Sequence, residues 1–463
     1  MTNTISTYEL HIKRLMLLLF IPSLMIACSK KLDVKSNQAF LIPNNITDLQ
    51  ALLNSGNIAS GGLVAAEWSA DDYYIVDTRF NAIATNYQAI YIWGKDFFDL
   101  QQSSTDWNSC YSRTFIANAV LAGLEKIDRN TDPAGYDQAY GTACFSRAVN
   151  LYALAQLFCK EYDSLTATTD LGVPIKLRAD INDVQPRSTV QQVYEQIISD
   201  AKNAERTLPV VSGFKTLPIK SAASGLLGRV YLHIGKYDLA KSATDTALKY
   251  YNTLIDYNTI NTSNANPFSA YNVEVILNGE LTYGGSSVPM QSGNFFVDST
   301  LYKSYAATDL RKTCFFKVET SGAISYKGSY TGNNVLSFFS GIATDELYLM
   351  RAEAKARTND LSGALADLNT LLAKRFKAPF IPVTAATPED ALKLILQERR
   401  KELLFRGIRW QDLRRLNKDP RFATTITRLV AGQTYSLAPN SPRYVLPIPA
   451  TEILYNNMPQ NAR

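Results

Sequence analysis

Two carboxylates in the C-terminal third are placed where they share a helix face. Glu398 and Glu402 lie four residues apart in Gln397-Glu398-Arg399-Arg400-Lys401-Glu402, the spacing that brings side chains together on a helix. Glycoside hydrolysis instead needs carboxyls on opposite sides of a scissile bond, about 5 to 9.5 Å apart. Arg399 and Arg400 stand beside these acids, so the expected role of the acids is ion pairing within the architecture, and no catalytic residue is assigned. Metal chemistry is equally poorly supplied. The chain has two histidines, His11 and His233. No Cys-x-x-Cys spacing exists among Cys110, Cys144, Cys159 and Cys314, so no metal site and no cofactor are expected. Those four cysteines are open to either reading, paired or simply buried.

A different chemistry is well supplied. Sugars present apolar faces ringed by hydroxyls, so gripping one takes flat aromatic rings with amide or carboxylate groups beside them. The stretch from Trp68 to Trp93 mixes Trp68, Asp71, Asp72, Tyr73, Tyr74, Asn86, Tyr87, Tyr91 and Trp93. Trp68, Asp72, Tyr73 and Trp93 are the first candidates for ligand contact. A second aromatic zone runs from Tyr271 to Tyr330, and Phe296 and Tyr326 are its candidates. Core packing is the competing role for each of these large rings.

The elements that must hold these zones are helical. Apolar residues recur at helical spacing over Asn45–Leu53, with Thr47 as the expected N-cap, and over Trp107–Ile127, Cys144–Lys160 and Val190–Leu208. Residues 222 to 248 read Leu227-Gly228-x2-Tyr231-x3-Gly235-x-Tyr237-x2-Ala240-x6-Ala247. They resemble a tetratricopeptide hairpin, in which Gly228 and Ala240 let two helices approach. A hairpin of this kind needs neighbours to bury its faces, so further copies are expected. A degenerate copy spans Thr344 to Arg375, and Thr387-Pro388-Glu389-Asp390 opens a further helix with a cap, a tolerated proline and acids at the positive end of the dipole. The fold class is therefore mostly α: stacked helical hairpins forming a superhelical scaffold, with long irregular inserts at about 54–106 and 253–340.

The N-terminus reads as an export signal over residues 1–27. Lys13 and Arg14 precede an apolar run, Leu15 to Ala27, that is too short to cross a bilayer as a helix. It ends at Leu24-Met25-Ile26-Ala27-Cys28, which resembles a lipobox. Cys28 is the expected lipid-attachment residue, with residues 28–38 as a tether and 39–463 as a single domain. Loss of Lys13, Arg14 and Glu9 with the signal lowers the formal charge from +5 to +4. With no dense basic cluster, nucleic acid is a poor partner.

The run Glu398-Arg399-Arg400-Lys401-Glu402-Leu403-Leu404-Phe405-Arg406-Gly407-Ile408-Arg409-Trp410-Gln411-Asp412-Leu413-Arg414-Arg415 resembles the signature of the SusD/RagB family, starch-utilisation-type nutrient-binding lipoproteins of Bacteroidetes. Glu346-Leu347-Tyr348-Leu349-x-Arg351-Ala352-Glu353-Ala354, Leu446-Pro447-Ile448-Pro449 and Asn456-x-Met458-Pro459-Gln460-Asn461 fit the same family. Arg406 departs from it, standing where many members carry an acid, which bears on a local salt bridge. The resemblance implies an oligosaccharide held at the cell surface by a lipid-anchored protein of the outer membrane. It implies a SusC-like TonB-dependent transporter as partner, and no catalysis. Peptide or another nutrient is the alternative ligand; a secreted glycoside hydrolase is the less supported reading.

Overall fold

The computed structural model describes residues 43, 45–55, 63–95, 98–100, 104–282, 295–333 and 337–463. Cys28 and the tether lie outside the described residues, as do parts of both inserts.

Helix starts are written locally in the chain. Asp132 accepts from Gly135 N at 3.0 Å with Pro133 at the first helical position, opening Pro133–Phe158. Thr189 and Gln192 form a reciprocal capping box at the head of Val190–Thr207, and Thr387 caps Pro388–Glu402 through Asp390 N at 3.1 Å. Such caps satisfy amides that the first helical turn leaves without partners. For the first described helix, Ile46–Ser55, the cap is Asn45, which accepts from Asp48 N at 2.9 Å. Thr47 falls inside that helix, a correction that arises because two good capping residues stand two positions apart.

Each scaffold helix packs on its successor: Thr105–Leu124 on Pro133–Phe158, then Val190–Thr207, Lys220–His233, Tyr237–Tyr250 and Thr344–Arg357, which is backed by Leu361–Leu372 and Pro388–Glu402. Pro133–Phe158 and Lys220–His233 are buried along most of their length, so they are enclosed on nearly all sides rather than striped. The fold is mostly α, with hairpins of tetratricopeptide type at 220–250 and 344–372. Among the described residues, no helix is long and apolar enough to cross a membrane, and Cys110, Cys144, Cys159 and Cys314 are buried free thiols.

The described parts of the two inserts are packed structure. Strands occur as two-stranded antiparallel pairs among the described residues, and one pair joins the inserts to each other: Tyr73–Ile75 lies against Phe295–Val297, with Tyr74 opposite Phe296. The middle insert is tied further by Glu280–Thr282 against Ser337–Phe339 and Phe316–Val318 against Ile324–Tyr326.

Gly228 sets the spacing of the first hairpin. A Cβ there would stand 2.7 Å from Thr244 Cγ2, a buried atom of the facing helix. Gly228→Ala therefore lowers stability by about 1–3 kcal/mol through overpacking, whereas Gly213→Ala, with nothing within 4 Å of the added carbon, leaves it nearly unchanged. Urea unfolding of the two variants against the parent checks this, and equal midpoints would refute it.

Candidate functional site

The ribbon that joins the inserts sorts its aromatic residues by the two-residue period of a strand. Tyr73 and Ile75 point inward; Tyr74 points out and is 41% exposed. On the facing strand Phe295 and Val297 are buried and Phe296 is half-buried. Tyr74 and Phe296 thus form a cross-strand pair with ring centroids 5.8 Å apart and planes tilted by 43°. The ribbon is continued by Asp298 N donating to Asp72 O at 2.8 Å.

Behind this pair the inward residues are enclosed. Tyr73 donates its hydroxyl to Trp68 O at 3.0 Å, and Trp93 Nε1 donates to Ser69 O at 3.0 Å. Ile75 N donates to the Tyr91 hydroxyl at 2.9 Å. The Arg428 guanidinium lies 3.7 Å from the Tyr91 ring centroid and 4.8 Å from that of Trp93, and donates to the carbonyls of Trp68, Ala70 and Tyr91. Trp68 stacks on Tyr87 at 4.8 Å. Trp68, Tyr73 and Trp93 are each 3% exposed or less, so these three candidates build the core beneath the ribbon and offer no ring face to a ligand. Tyr326 is also enclosed, packed 4.7 Å from Phe405. Asp72 is buried and accepts from Arg400 Nε at 2.8 Å, which engages the carboxylate expected to meet a ligand. Of the six expected contact residues, Phe296 alone keeps a partly open face. Tyr74, in the same stretch but not among the six, is the residue that the strand period turns outward.

The rim beside the ribbon is charged. Asp71 receives Arg409 Nε at 2.6 Å and lies 3.2 Å from Arg400, itself 30% exposed. Burial opposes ionisation of Asp71, yet the charges of Arg409 and Arg400 hold its carboxyl well below the usual range. Burial raises Asp72 against the pull of Arg400.

The acids of the C-terminal signature are all committed. Glu402 accepts from Arg375 at 2.6 Å and Arg311 at 3.1 Å, and Glu398 pairs with Arg311 and, at 2.8 Å, with Lys401. Arg399 meets Asp412 at 2.8 Å, and Arg415 reaches Glu353 at 2.6 Å. Arg406 makes a buried pair of its own with Asp345 at 2.7 Å. Among the described residues no His, Cys, Asp and Glu cluster has the arrangement of a metal site.

Two family models together match nearly all of the chain. One, described as starch-binding associating with outer membrane, matches residues 30–232; the other, described as the SusD family, matches 235–462. The chain belongs to the SusD/RagB family. The two matched segments meet at the turn of the first hairpin, where Gly235 adopts a φ of +74°. Among solved structures, a candidate sugar-binding protein from Bacteroides vulgatus is 25% identical, with a TM-score of 0.73 over 90% of this chain and 98% of that one. A SusD superfamily protein from Bacteroides thetaiotaomicron shares the fold at 23% identity and a TM-score of 0.72, covering 90% and 100% of the two chains. Surface glycan-binding protein A from Bacteroides fluxus shares it at 17% and 0.71, covering 90% and 99%. SusD-like protein P38 of Formosa agariphila is 27% identical over 149 residues, 31% of this chain and 26% of that relative. The match therefore spans about a quarter of P38.

In this SusD-family chain one buried carboxyl joins the candidate site to the signature turn. Gly407 N donates to Glu67 Oε2 at 2.8 Å. Burial, with the charge of Asp72 nearby, pushes the Glu67 carboxyl from its ordinary 4.5 up to about 8, against that hydrogen bond. The folded state therefore holds a proton that the unfolded chain releases above about 4.5. Its contribution is whole below the unfolded value and is lost as pH rises through the folded one, with a slope of at most about 1.4 kcal/mol per pH unit. Glu67→Gln should flatten the fall in unfolding free energy across that window; parallel profiles for parent and variant would count against it.

Proposed function

We propose that this protein holds an oligosaccharide at the outward pair Tyr74 and Phe296 and passes it to a SusC-like TonB-dependent transporter, without catalysing a reaction on it. The observation that carries this reading is the ribbon itself. Two inserts from distant parts of the chain meet so that one aromatic ring from each stands on the outside, next to the half-exposed Arg400 and its aspartates. Tilted, partly exposed rings supply the apolar contact that a pyranose face needs, and the charged rim supplies hydrogen-bond partners for its hydroxyls. The candidate sugar-binding protein and the surface glycan-binding protein among the relatives support carbohydrate as the ligand class.

A non-catalytic role is supported by the fate of the acids. Glu398 and Glu402, the pair that shares a helix face, are each engaged by arginine, so neither is free to give a proton to a glycosidic oxygen. The role proposed for Cys28 is to carry the diacylglyceryl anchor at the outer membrane, where two or more acyl chains give stable attachment.

Two measurements test this reading. On a glycan array followed by calorimetry, Tyr74→Ala and Phe296→Ala should each weaken binding of the selected oligosaccharide roughly tenfold, or about 1.4 kcal/mol, with the melting temperature kept. Unchanged affinity in both variants would remove the pair from the site, and selection of peptides instead of glycans on parallel arrays would replace the ligand class. For the anchor, Cys28→Ser should move the protein from the membrane fraction to the soluble fraction of native cells; membrane retention equal to the parent would exclude acylation at Cys28 as the tether.

A further inference from the structure

A cavity of about 330 Å³ lies where three scaffold helices end: Lys220–His233, Thr344–Arg357 and Arg409–Leu416. Arg357 and Arg415 stand in its wall with Lys418, Asp419 and the rings of Tyr162 and Tyr237. Its volume falls within the ~300–1,000 Å³ of small-molecule sites.

Arg357 is the member whose partners are incomplete. Its side chain is 8% exposed, and its Nε donates to Glu353 Oε1 at 2.8 Å. Nη1 stops 3.8 Å from Asp419 Oδ2, beyond hydrogen-bonding distance. Arg421 takes both oxygens of that aspartate, at 2.9 and 2.7 Å. Neither Nη of Arg357 therefore has a hydrogen-bond acceptor among the described residues, and neither is sealed from solvent. The guanidinium is held in place all the same, 5.0 Å from the Tyr237 ring centroid and 5.9 Å from that of Phe422. Arg415, by contrast, commits all three of its nitrogens to Glu353 and Asp412.

The charges behind the cavity do not cancel. Arg357, Arg415 and Arg399 share two carboxylates, Glu353 and Asp412. Burial opposes ionisation of both acids, yet Arg415 and Arg357 hold Glu353, and Arg399 and Arg415 hold Asp412, below the usual carboxylate range. Both acids therefore stay charged, and three cations against two anions leave one positive charge over. The flanking pairs are balanced: Lys418 with Asp163, Arg421 with Asp419 and Arg414 with Glu161. The helix ends do not absorb the surplus, because the turns that follow take up their last carbonyls: Leu232 O accepts from Gly235 N, Lys355 O from Asp360 N and Leu416 O from Asp419 N. Arg399 is enclosed and Arg415 is fully bonded, so the surplus meets solvent at Arg357.

We infer that this cavity is a second binding site, for a small monoanion of up to about one sugar ring whose carboxylate seats on Arg357. The inference goes beyond the ribbon site and does not depend on it. A guanidinium presents its donors in a fixed planar fork that matches the two oxygens of a carboxylate, and a buried charge calls for complete partners. One surplus charge fits one negative charge, and the rings of Tyr162 and Tyr237 give apolar wall to the body that carries it.

The test is ligand-observed NMR and calorimetry on the full chain in detergent. The probes are sodium D-glucuronate and sodium D-galacturonate, with D-glucose and D-galactose as their neutral counterparts. At least one uronate should bind at least tenfold more tightly than its neutral counterpart, and at least tenfold more weakly after Arg357→Gln. Affinity should be unchanged after Tyr74→Ala with Phe296→Ala. Pro420→Glu, on an exposed residue that lines the cavity, offers Arg357 an internal carboxylate and should weaken binding by a similar factor. It leaves the buried ion pairs in place, and so keeps the test valid if Arg357→Gln fails to fold. Binding of neither uronate, equal affinity for the neutral sugars, or binding indifferent to Pro420→Glu would each overturn the inference. Loss of uronate binding in the ribbon variants alone would assign the anion to the ribbon site and overturn it too.

Discussion

Arg375 is wholly enclosed, and its guanidinium is satisfied from three parts of the chain at once. It donates to Glu402 at 2.6 Å, to Glu274 at 2.8 Å and to Ile255 O at 2.9 Å, with the Tyr257 ring centroid 3.9 Å away. A buried charge is tolerated only when its partners are complete, and removing one partner of such a pair costs about 3–5 kcal/mol. The helix Pro388–Glu402, the segment after Leu361–Leu372 and the start of the middle insert must therefore arrive together or not at all. Glu402 extends the constraint by also taking Arg311, which is held by Asp309 at 2.7 Å. The middle insert is thereby pinned to the scaffold at two arginines with no solvent exposure.

From that pin the outward aromatic pair follows by packing. Glu402 ends its helix, and three residues later Phe405 takes a φ of +58°, a conformation that a bulky side chain adopts only where its surroundings impose it. Its ring stands 5.5 Å from both Phe295 and Phe338, 4.7 Å from Tyr326 and 6.2 Å from Tyr73. These neighbours come from both inserts, so one strained residue is the floor on which the ribbon rests. With Tyr73 and Phe295 claimed from below, the pleat leaves Tyr74 and Phe296 no direction but outward. Arg428 secures the other side of the N-terminal insert by filling three backbone carbonyls that a loop buried there would leave without partners.

The helical part of this design was legible where the signal is local: Thr387 caps where its side chain alone would place it, and Gly228 meets Thr244 as a tetratricopeptide hairpin requires, whereas the helix expected from Cys144 starts eleven residues earlier, at the Asp132 cap before Pro133. That Glu398 and Glu402 serve ion pairs was legible, but their partners were not: they take Arg311 and Arg375 from distant segments, while the adjacent Arg399 and Arg400 turn to Asp412 and to Asp71 and Asp72. The site zone was legible only as a zone. Three-residue strands such as Tyr73–Ile75 are too short for a period-two pattern to stand out, and so the choice between Tyr73 and Tyr74 depended on the partner strand more than two hundred residues away. Trp68 and Trp93 misled in a specific way. Large rings among aspartates and asparagines have the composition of a sugar platform, but Trp93 finds its hydrogen-bond acceptor in a backbone carbonyl, and sequence composition carries no sign of that.

The division between enclosed and outward rings bears on how binding energy is spent. A ligand that orders loose loops loses roughly 0.5–1.5 kcal/mol for each side chain it immobilises. Tyr74 and Phe296 sit instead on a ribbon whose reverse face is packed against Phe405, Tyr326 and the Arg428 cluster, so their backbone is fixed before any ligand arrives. For the proposed oligosaccharide, the cost of ordering would then fall on the ligand. The proposed capture and release of an oligosaccharide would gain from this arrangement, because contact with two rings and one charged rim gives modest affinity at low reorganisation cost, which suits fast exchange better than an enveloping pocket does. The buried arginines hold the ribbon in place, and the small area of the proposed platform would keep its grip reversible.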